Sequence, residues 1–369
     1  MIDENLLKQE EKAIFSLRSL YRKYGYLPFK MSKFEEYELY IRNKDFLVSD
    51  QVITFNDTNG KLMALKPDVT LSIIKNGEDA PGVKQKVYYN ENVYRVSEST
   101  HQYKEIMQAG LECIGDIDLY DISEVISLAA ESLAMISESF ILEVSHLGVL
   151  SAMLEMVCPD KTFEQKAIQF IAKKNAHDLR RLCEEYGADA AAVDRLEAFV
   201  STYGRRDEVI ARLKEICPEE VTRELEELSA MLDNSPYSHR IHFDFSVVND
   251  MNYYNHFVFR GFLDGVCDSV LSGGQYDKLM RKMGRDDSAI GFAVYMDMTE
   301  RLARPVSVYD VDTLLLYDED ADLSVLRQET AALSTDGSVL ALRKIPDGLK
   351  YRRLLKLQGS EVAELENNT

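Results

Sequence analysis

A long, charged helical segment, about residues 150 to 235, interrupts a chain that shows strand patterns on both sides. Before it, KVYYNENVYRV and IMQAGLECIG have the apolar and β-branched composition of an antiparallel strand pair. After it, IHFDFSVV and NHFVFRGFLDGV show the same pattern. The strands on either side are therefore expected to share one sheet, with the helices as an insertion. This order of elements predicts an α+β fold.

The chain has 369 residues, enough for more than one domain. We expect one domain over 1–305, which contains the insertion, and a short α/β unit over 306–369. In the second unit DTLLLYDED, a helix near 324–333 and SVLALRKIP begin a β-α-β pattern. The final GSEVAELENNT is acidic and is expected to be frayed.

Charge and cysteine content exclude several classes of protein. Lys and Arg number 43 against 63 Asp and Glu, a net charge of −20. Nucleic-acid affinity depends on cations that neutralise phosphates, so no RNA or DNA partner is expected. The five cysteines are scattered without a CxxC pair, which favours reduced thiols in a cytoplasmic protein and no metal site. No apolar run approaches the ~20 residues of a membrane helix.

The predicted strand IMQAGLECIG is mostly apolar but also contains polar residues, which a buried strand does not require for packing. Gln108 and Glu112 lie on the same face of this strand, because strand side chains alternate. A buried glutamate is costly unless a cation or a hydrogen-bonding group meets it. An ion pair with Lys104 or Arg95 would satisfy Glu112, and so would a bound ligand. The strand alone leaves both possibilities open.

Five segments resemble, in order, the motifs of histidyl-tRNA synthetases, over roughly residues 1–120 and 240–302. They are GYLPFKMSKFEEYELY, similar to class II motif 1; KLMALKPDVTLSIIK, similar to the LRPEGT turn; VYRVSESTHQYKEIMQAGLECIG, similar to motif 2; NDMNYYNHFVFRGF, similar to the RGLDYYTRTVFE signature; and SGGQYDKLM with AIGFAVYMDM, similar to the GGRYD element and motif 3. The resemblance implies a class II synthetase-like antiparallel sheet flanked by helices, with the helical insertion where the family has one.

The resemblance also implies a histidine-binding pocket. In the synthetases, an acidic residue, a threonine and a glutamine hold the amino group of histidine, and a glutamate and a tyrosine hold its imidazole. An ammonium group is satisfied by carboxylate and neutral oxygens, and an imidazole by an acceptor and a hydroxyl. The matching residues are Asp68, Thr70 and Gln108 for the amino group, and Glu112 and Tyr254, with Tyr253 beside it, for the imidazole.

The ATP side of the pocket departs from the synthetase pattern. Motif 2 keeps its arginine as Arg95, which we interpret as a vestigial ATP-site residue. The arginine that opens the RGLDYY signature is Asn249 here, and the motif 3 arginine aligns with Met298, with Arg301 about one helical turn further on. Activation by ATP needs cations against phosphate charge. Synthetase activity is therefore expected to be lost, and no catalytic residue or cofactor is expected.

The residues matching the histidine contacts are kept, whereas those matching the ATP contacts are lost. This combination resembles the regulatory subunits of short-form ATP phosphoribosyltransferase, a paralogous family. VSHLGVL, residues 144–150, and FDFSVVNDMNYYNH are similar to that family specifically. The resemblance implies a separate catalytic subunit as partner, in the first step of histidine synthesis, and L-histidine as feedback ligand. It also implies a dimer, and a hetero-octamer with the catalytic subunits. A divergent histidyl-tRNA synthetase and a ligase for another substrate are the alternatives, and whether histidine binds in this pocket or nearer a subunit interface stays open.

Simpler roles are open for the same residues. Asp68 follows Lys66 and Pro67 and could cap a turn. The two adjacent tyrosines could be core or interface aromatics, and SGGQYD is expected to be only a tight turn into a helix. The joint order of the motifs, rather than any single residue, favours the ligand site.

Overall fold

The computed structural model of the chain describes residues 7–47, 52–77, 83–97, 100–248, 253–299, 309–359 and 361–368. The chain divides into two compact units, Met1–Leu302 and Ala303–Thr369. The boundary expected at residue 305 falls within 301–308, outside the described residues.

The first third of the chain builds one edge of the main sheet and a small separate sheet. Its elements are α1 (Gln9–Lys23), β1 (Leu27–Pro28), β2 (Phe34–Glu36), α2 (Tyr37–Arg42), a 3₁₀ helix (Lys44–Phe46), β3 (Thr54–Asn56), β4 (Leu62–Leu65), α3 (Thr70–Asn76), β5 (Gln85–Val96) and β6 (Tyr103–Gly115). The long strands β5 and β6 form an antiparallel hairpin, and β2, β4 and β3 pair in that order as a three-stranded sheet.

The middle of the chain is mainly helical. It contains α4 (Leu119–Ala134), β7 (Phe140–His146), α5 (Leu147–Val157), α6 (Lys161–Ala172), α7 (Ala176–Glu185), α8 (Ala190–Val200), β8 (Tyr203–Arg205), α9 (Arg206–Ile216) and α10 (Glu219–Leu232). Polar side chains begin these helices: Asp160, Asn175 and Asp189 each accept a hydrogen bond from a backbone N–H of the first turn. Helices α5 to α10 occupy the region where a helical insertion is predicted.

The chain then returns to the main sheet through β9 (Ile241–Asp244), β10 (Phe257–Leu263), β11 (Leu271–Gln275), α11 (Asp277–Lys282), β12 (Ser288–Tyr295) and α12 (Met296–Thr299). The sheet has nine strands in the order β1-β5-β6-β12-β11-β10-β7-β9-β8. Its pairings are antiparallel except β1 with β5 and β7 with β9. Strands from before and after the insertion therefore share one sheet, as the sequence pattern predicts. The terminal strands β1 and β8 are only two and three residues long.

The two faces of this sheet have different partners. Helices α1 and α4 pack on one face, where Ala109, Leu111 and Cys113 of β6 join the largest apolar cluster. The other face, which carries Ile114 of β6 and Tyr89 of β5, packs against α3 and α11 in a second cluster. The polar residues of β6 lie on this second face, so the candidate site is located there.

The second unit is a small α/β sheet. It comprises β13 (Val311–Tyr317), α13 (Leu323–Leu333), β14 (Val339–Leu342), β15 (Tyr351–Gln358) and β16 (Glu361–Asn367), with sheet order β14-β13-β15-β16. The expectation of a frayed acidic tail is wrong, because β16 pairs antiparallel with β15. The Val362 side chain packs in the apolar cluster of this sheet, and the Tyr351 hydroxyl donates to Glu366 Oε2 (2.8 Å). Packing and cross-strand pairing thus hold a segment whose composition suggests disorder.

Candidate ligand-binding site

A cavity of about 510 Å³ lies on the second face of the main sheet. Strands β5, β6, β11 and β12 line it, together with the start of α3, the 3₁₀ helix, α6 and the residues before β10. The seven residues singled out from the sequence all line this cavity: Asp68, Thr70, Arg95, Gln108, Glu112, Tyr253 and Tyr254. Folding therefore brings together side chains that are far apart in the chain.

Glu112 lies at the floor of the cavity and meets two hydroxyl groups. Its side chain is 2 % exposed. The Thr70 hydroxyl donates to Oε1 (2.9 Å) and the Tyr276 hydroxyl donates to Oε2 (2.7 Å). The alternative of an ion pair with Lys104 or Arg95 is wrong, since Lys104 is exposed on the hairpin and Arg95 Nε donates to the Pro67 carbonyl (3.0 Å).

Burial raises the pKa of the Glu112 carboxyl to about 8, although the hydrogen bonds from Tyr276 and Thr70 act in the opposite direction. The nearby Asp68 carboxyl raises this pKa further, because two anions close together disfavour ionisation. Glu112 therefore carries a proton at neutral pH for most of the time, and a basic group entering the cavity can share that proton.

Asp68 belongs to a turn that is tied firmly to β5. Its Oδ1 accepts a hydrogen bond from the Leu71 N–H in the first turn of α3 (2.9 Å), so the proposed capping role is confirmed. Burial raises the pKa of the Asp68 carboxyl, against the lowering effects of that N–H and of nearby Arg95. Behind it, the fully buried Lys66 ammonium pairs with Glu91 of β5 (2.5 Å). The turn thus holds Asp68 in a fixed position beside the sheet.

The Gln108 side chain is buried (4 % exposed), and its amide has no hydrogen-bond partner among the described residues. A buried polar group normally has such a partner. A side chain of this kind on a cavity wall is suited to bind a ligand.

The two tyrosines before β10 form an aromatic wall. The rings of Tyr253 and Tyr254 lie edge to face, with centroids 4.8 Å apart. Tyr253 also contacts Phe46 and Tyr276, at centroid distances of 6.2 and 5.9 Å. The pair is therefore both part of the apolar packing and part of the cavity wall, so its aromatic-core role is confirmed without excluding a ligand role.

Two glycines provide the space for this arrangement. Gly291 of β12 lies opposite Glu112 of β6, and a Cβ atom there would lie 1.7 Å from Glu112 Oε2. On the next strand, a Cβ atom at Gly274 would lie 2.7 Å from the Tyr254 ring. Any side chain at these positions would displace the groups that face the cavity.

Several lining residues are absent from the sequence-based set. Tyr276 comes from SGGQYD, and the expectation that this segment is only a turn is wrong, because its Ser-Gly-Gly-Gln residues lie within β11. The two adjacent glycines of this segment could have indicated its place beside the cavity, because glycine within a strand often marks a close approach of a ligand or another backbone. Further missed residues include Asp45, Phe46 and Leu47 around the 3₁₀ helix, Gln165, Ile168 and Gln169 of α6, and several residues of β5, β11 and β12.

The ATP side of the cavity offers little positive charge. Arg95 is the single cation among the described residues that line the cavity. Met298 packs against the apolar core, while Asn249 and Arg301 lie outside the described residues. Within the described ranges, no group of three or more His, Cys, Asp or Glu side chains is placed to hold a metal ion.

All five cysteines are free; Cys113, Cys183 and Cys217 are buried and Cys267 is exposed. In the part of the chain that the structure covers, no helix has the length and apolar character needed to cross a membrane.

The fold is that of a class II synthetase-like protein. A protein from Bacillus halodurans described as an ATP phosphoribosyltransferase regulatory subunit/histidyl-tRNA synthetase superposes with a TM-score of 0.72 at 22% identity, covering 93% of each chain. The histidyl-tRNA synthetase of a Nostoc species gives a TM-score of 0.72 at 16% identity over 96% of this chain and 93% of that one. These likenesses confirm the predicted α+β fold.

The chain belongs to the histidyl-tRNA synthetase family, whose model matches residues 2–299. Among its relatives, the ATP phosphoribosyltransferase regulatory subunit of Oceanobacillus iheyensis is 26% identical over 309 residues, 82% of this chain and 76% of that protein. The protein of the same description from Bacillus cereus is 25% identical over 372 residues, 96% of this chain and 87% of that protein. The resemblance to regulatory subunits that the motifs indicate is confirmed.

A chain of the ATP phosphoribosyltransferase complex from Thermotoga maritima shares the fold as well. It superposes with a TM-score of 0.62 at 22% identity, covering 78% of this chain and 97% of that one. The fold therefore occurs both in a histidyl-tRNA synthetase and in a chain of an ATP phosphoribosyltransferase complex.

Proposed function

We propose that this chain is a non-catalytic regulatory subunit of a short-form ATP phosphoribosyltransferase. It joins a separate catalytic subunit in the cytoplasm, is required for that subunit's activity, and binds L-histidine as the feedback inhibitor of the first step of histidine biosynthesis. The descriptions of its relatives support this role. The observation that carries it is a cavity lined by the residues that match the synthetases' histidine contacts, with one cation among its described lining residues.

Each polar group of L-histidine has a chemically matched neighbour in this cavity. The Asp68 carboxylate and the unpartnered Gln108 amide suit the ammonium group, with Thr70 beside them. Arg95, although inherited from an ATP site, is the cation available to a carboxylate. These assignments use side chains that the fold already holds in place.

The imidazole has its match in Glu112 and Tyr254. A protonated imidazole has a pKa near 6.5 and the Glu112 carboxyl has a pKa of about 8, so neutral imidazole and the Glu112 carboxylate compete for one proton. Whichever group holds the proton, a charge-assisted or neutral hydrogen bond forms between them. The buried position of Glu112 strengthens this bond, since water does not compete.

Loss of synthetase activity is part of the proposal. Amino-acid activation places negative charge on phosphate oxygens in the transition state, and the protein must meet it with cations. Met298, which aligns with the motif 3 arginine when no gap is placed, packs against the core. The retained Arg95 favours one alternative, a divergent histidyl-tRNA synthetase, which would show histidine-dependent ATP–pyrophosphate exchange.

Calorimetric titration with L-histidine and with ATP tests the proposal. We expect the wild-type chain, alone or with its catalytic subunit, to bind histidine and not ATP, and Glu112→Gln to weaken histidine binding. Glu105→Gln is the matched control, because it removes a carboxylate from the exposed end of the same strand. ATP binding or pyrophosphate exchange would instead support the synthetase alternative.

The assembly is proposed as a dimer of this 42.1 kDa chain that joins catalytic subunits in a hetero-octamer. Light scattering during size-exclusion chromatography tests both steps. The mass of the chain alone should correspond to two copies, and addition of the catalytic subunit should give one larger species. A chain that stays monomeric and does not bind the catalytic subunit contradicts the proposed assembly.

A further inference from the structure

Helix α6 of the helical insertion packs in the core on one side and faces the cavity on the other, where Gln165 and Gln169 are exposed and Ile168 is half-buried. Phe163, Ala167 and Ile171 recur every four residues and are fully buried in the largest apolar cluster. Gln165, Ile168 and Gln169 lie on the other side of the helix and line the cavity. One face of α6 is therefore fixed by packing, which leaves the other to form a cavity wall.

The start of α6 is anchored to the preceding helix. Asp160 accepts a hydrogen bond from the Phe163 N–H (2.9 Å), which fixes the first turn of α6. The Ser151 hydroxyl of α5 donates to Glu164 Oε1 (3.0 Å). The position of α6 therefore follows the position of α5.

Helix α5 is in turn anchored to the strand that follows the tyrosine pair. The Val149 N–H donates to His146 Nδ1 (3.1 Å), and the Leu147 N–H donates to the His256 carbonyl (2.8 Å). The His146 ring packs edge-on against Phe257, the first residue of β10, at a centroid distance of 4.5 Å. Because Val149 donates to Nδ1, the other ring nitrogen carries the proton and donates to Glu224 of α10 (3.1 Å). These contacts join the aromatic wall of the cavity to the insertion.

We propose that α6 is a ligand-binding wall of the cavity: Gln165 and Gln169 hydrogen-bond L-histidine, Ile168 shields it from water, and bound ligand restrains the helical insertion. This inference rests on the proposed function. Carboxamides both donate and accept hydrogen bonds, so they can meet a zwitterion without adding charge. The strand side of the cavity provides the charged contacts and α6 the neutral ones. Neither the sequence motifs nor the relatives' descriptions assign a ligand role to the insertion.

The experiment compares two double variants of the same helix. Gln165→Ala with Gln169→Ala removes the two cavity-facing amides. Thr162→Ala with Lys166→Ala is the matched control, since it truncates two exposed side chains at the same spacing that do not line the cavity. Histidine affinity is measured by calorimetry for the chain alone and with its catalytic subunit. Hydrogen exchange of α6 is measured with and without histidine, and α8 of the same insertion serves as reference.

We expect the glutamine variant to bind histidine about threefold to tenfold more weakly for each hydrogen bond lost, and the control variant to match the wild type. We also expect histidine to slow exchange in α6 more than in α8. Equal affinity of the glutamine variant and the wild type, or α6 exchange that histidine does not alter, overturns this inference and leaves the histidine pocket standing. Absence of histidine binding by the wild type in both forms overturns this inference together with the proposed ligand.

Discussion

The two faces of strand β6 are equally buried and chemically opposite. On one face Ala109, Leu111 and Cys113 are 0% exposed and pack against helices. On the other face Gln108 and Glu112 are 4% and 2% exposed and line a cavity. The first face is stabilised by removal of apolar area from water, a non-directional effect. The second face is stabilised only if each polar side chain finds a hydrogen-bonding partner. Burial alone therefore does not distinguish a core face from a binding site, whereas the hydrogen-bonding partners of the buried groups do.

The largest effect is expected on the apolar face. Leu111→Ala should lower the free energy of unfolding by about 2–5 kcal/mol, because it removes buried methyl groups and leaves a cavity. Urea unfolding measures the loss. Histidine affinity of the folded variant should stay within about twofold of the wild type, since no cavity-facing group changes. A large loss of affinity would show that the two faces are coupled.

Filling the space beside Glu112 should disturb the polar face directly. Gly291→Ala places a methyl group against the Glu112 carboxyl and should cost about 1–3 kcal/mol of stability, with loss of histidine binding. Thermal unfolding and calorimetry measure the two effects. The stability cost should shrink when Glu112→Ala is introduced as well, because the clash is then relieved. A cost that the second substitution leaves unchanged would place the strain elsewhere in the backbone.

The polar face should also make stability depend on pH. The folded pKa of Glu112, about 8, lies above its ordinary value of 4.5. Its contribution is therefore complete below pH 4.5 and is lost as pH rises toward 8, since the unfolded chain releases the proton first. Between pH 5 and 8 the wild type should lose more than about 1.4 kcal/mol relative to Glu112→Gln, the value of one pKa unit. Urea unfolding of both proteins across this range measures the difference, and parallel curves would contradict the raised pKa.

The smallest effect should follow removal of one hydroxyl from the floor of the cavity. Tyr276→Phe removes the donor to Glu112 Oε2 and should cost about 0.5–1.5 kcal/mol in the free energy of unfolding above pH 8. Because this hydrogen bond lowers the pKa of Glu112, the variant's pKa should rise further. The pH at which stability levels off reports that change. An unaltered pH profile would mean that Tyr276 contributes packing alone.

Local patterns in the sequence were sufficient for most elements. The helix predicted near residues 324–333 is α13 (Leu323–Leu333), and the hairpin of β5 and β6 lies where apolar and β-branched runs indicate it. Predictions from amino-acid composition were wrong where strand pairing determined the structure instead. The acidic β16 is a strand because β15 binds it, and the two glycines of β11 lie inside a sheet although glycine is rare in strands.

The motifs selected side chains that the fold brings to one cavity, but they did not show what Glu112 contacts. Tyr276 lies 164 positions away in the chain, so no local pattern relates the two. The contribution of α6 was missed for a similar reason. An amphipathic pattern marks the buried face of a helix, and it does not show what lies opposite the polar face.

The very short strands at both ends of the nine-stranded sheet affect how the protein behaves at high concentration. A wide sheet exposes unpaired backbone groups along its edges and can template aggregation with other copies. Here β1 ends in Pro28, which has no N–H to offer, and β8 contributes only three residues. Strand addition therefore finds little to continue on β1 or β8 themselves, and we expect the chain to associate through these two strands less readily than through long terminal strands.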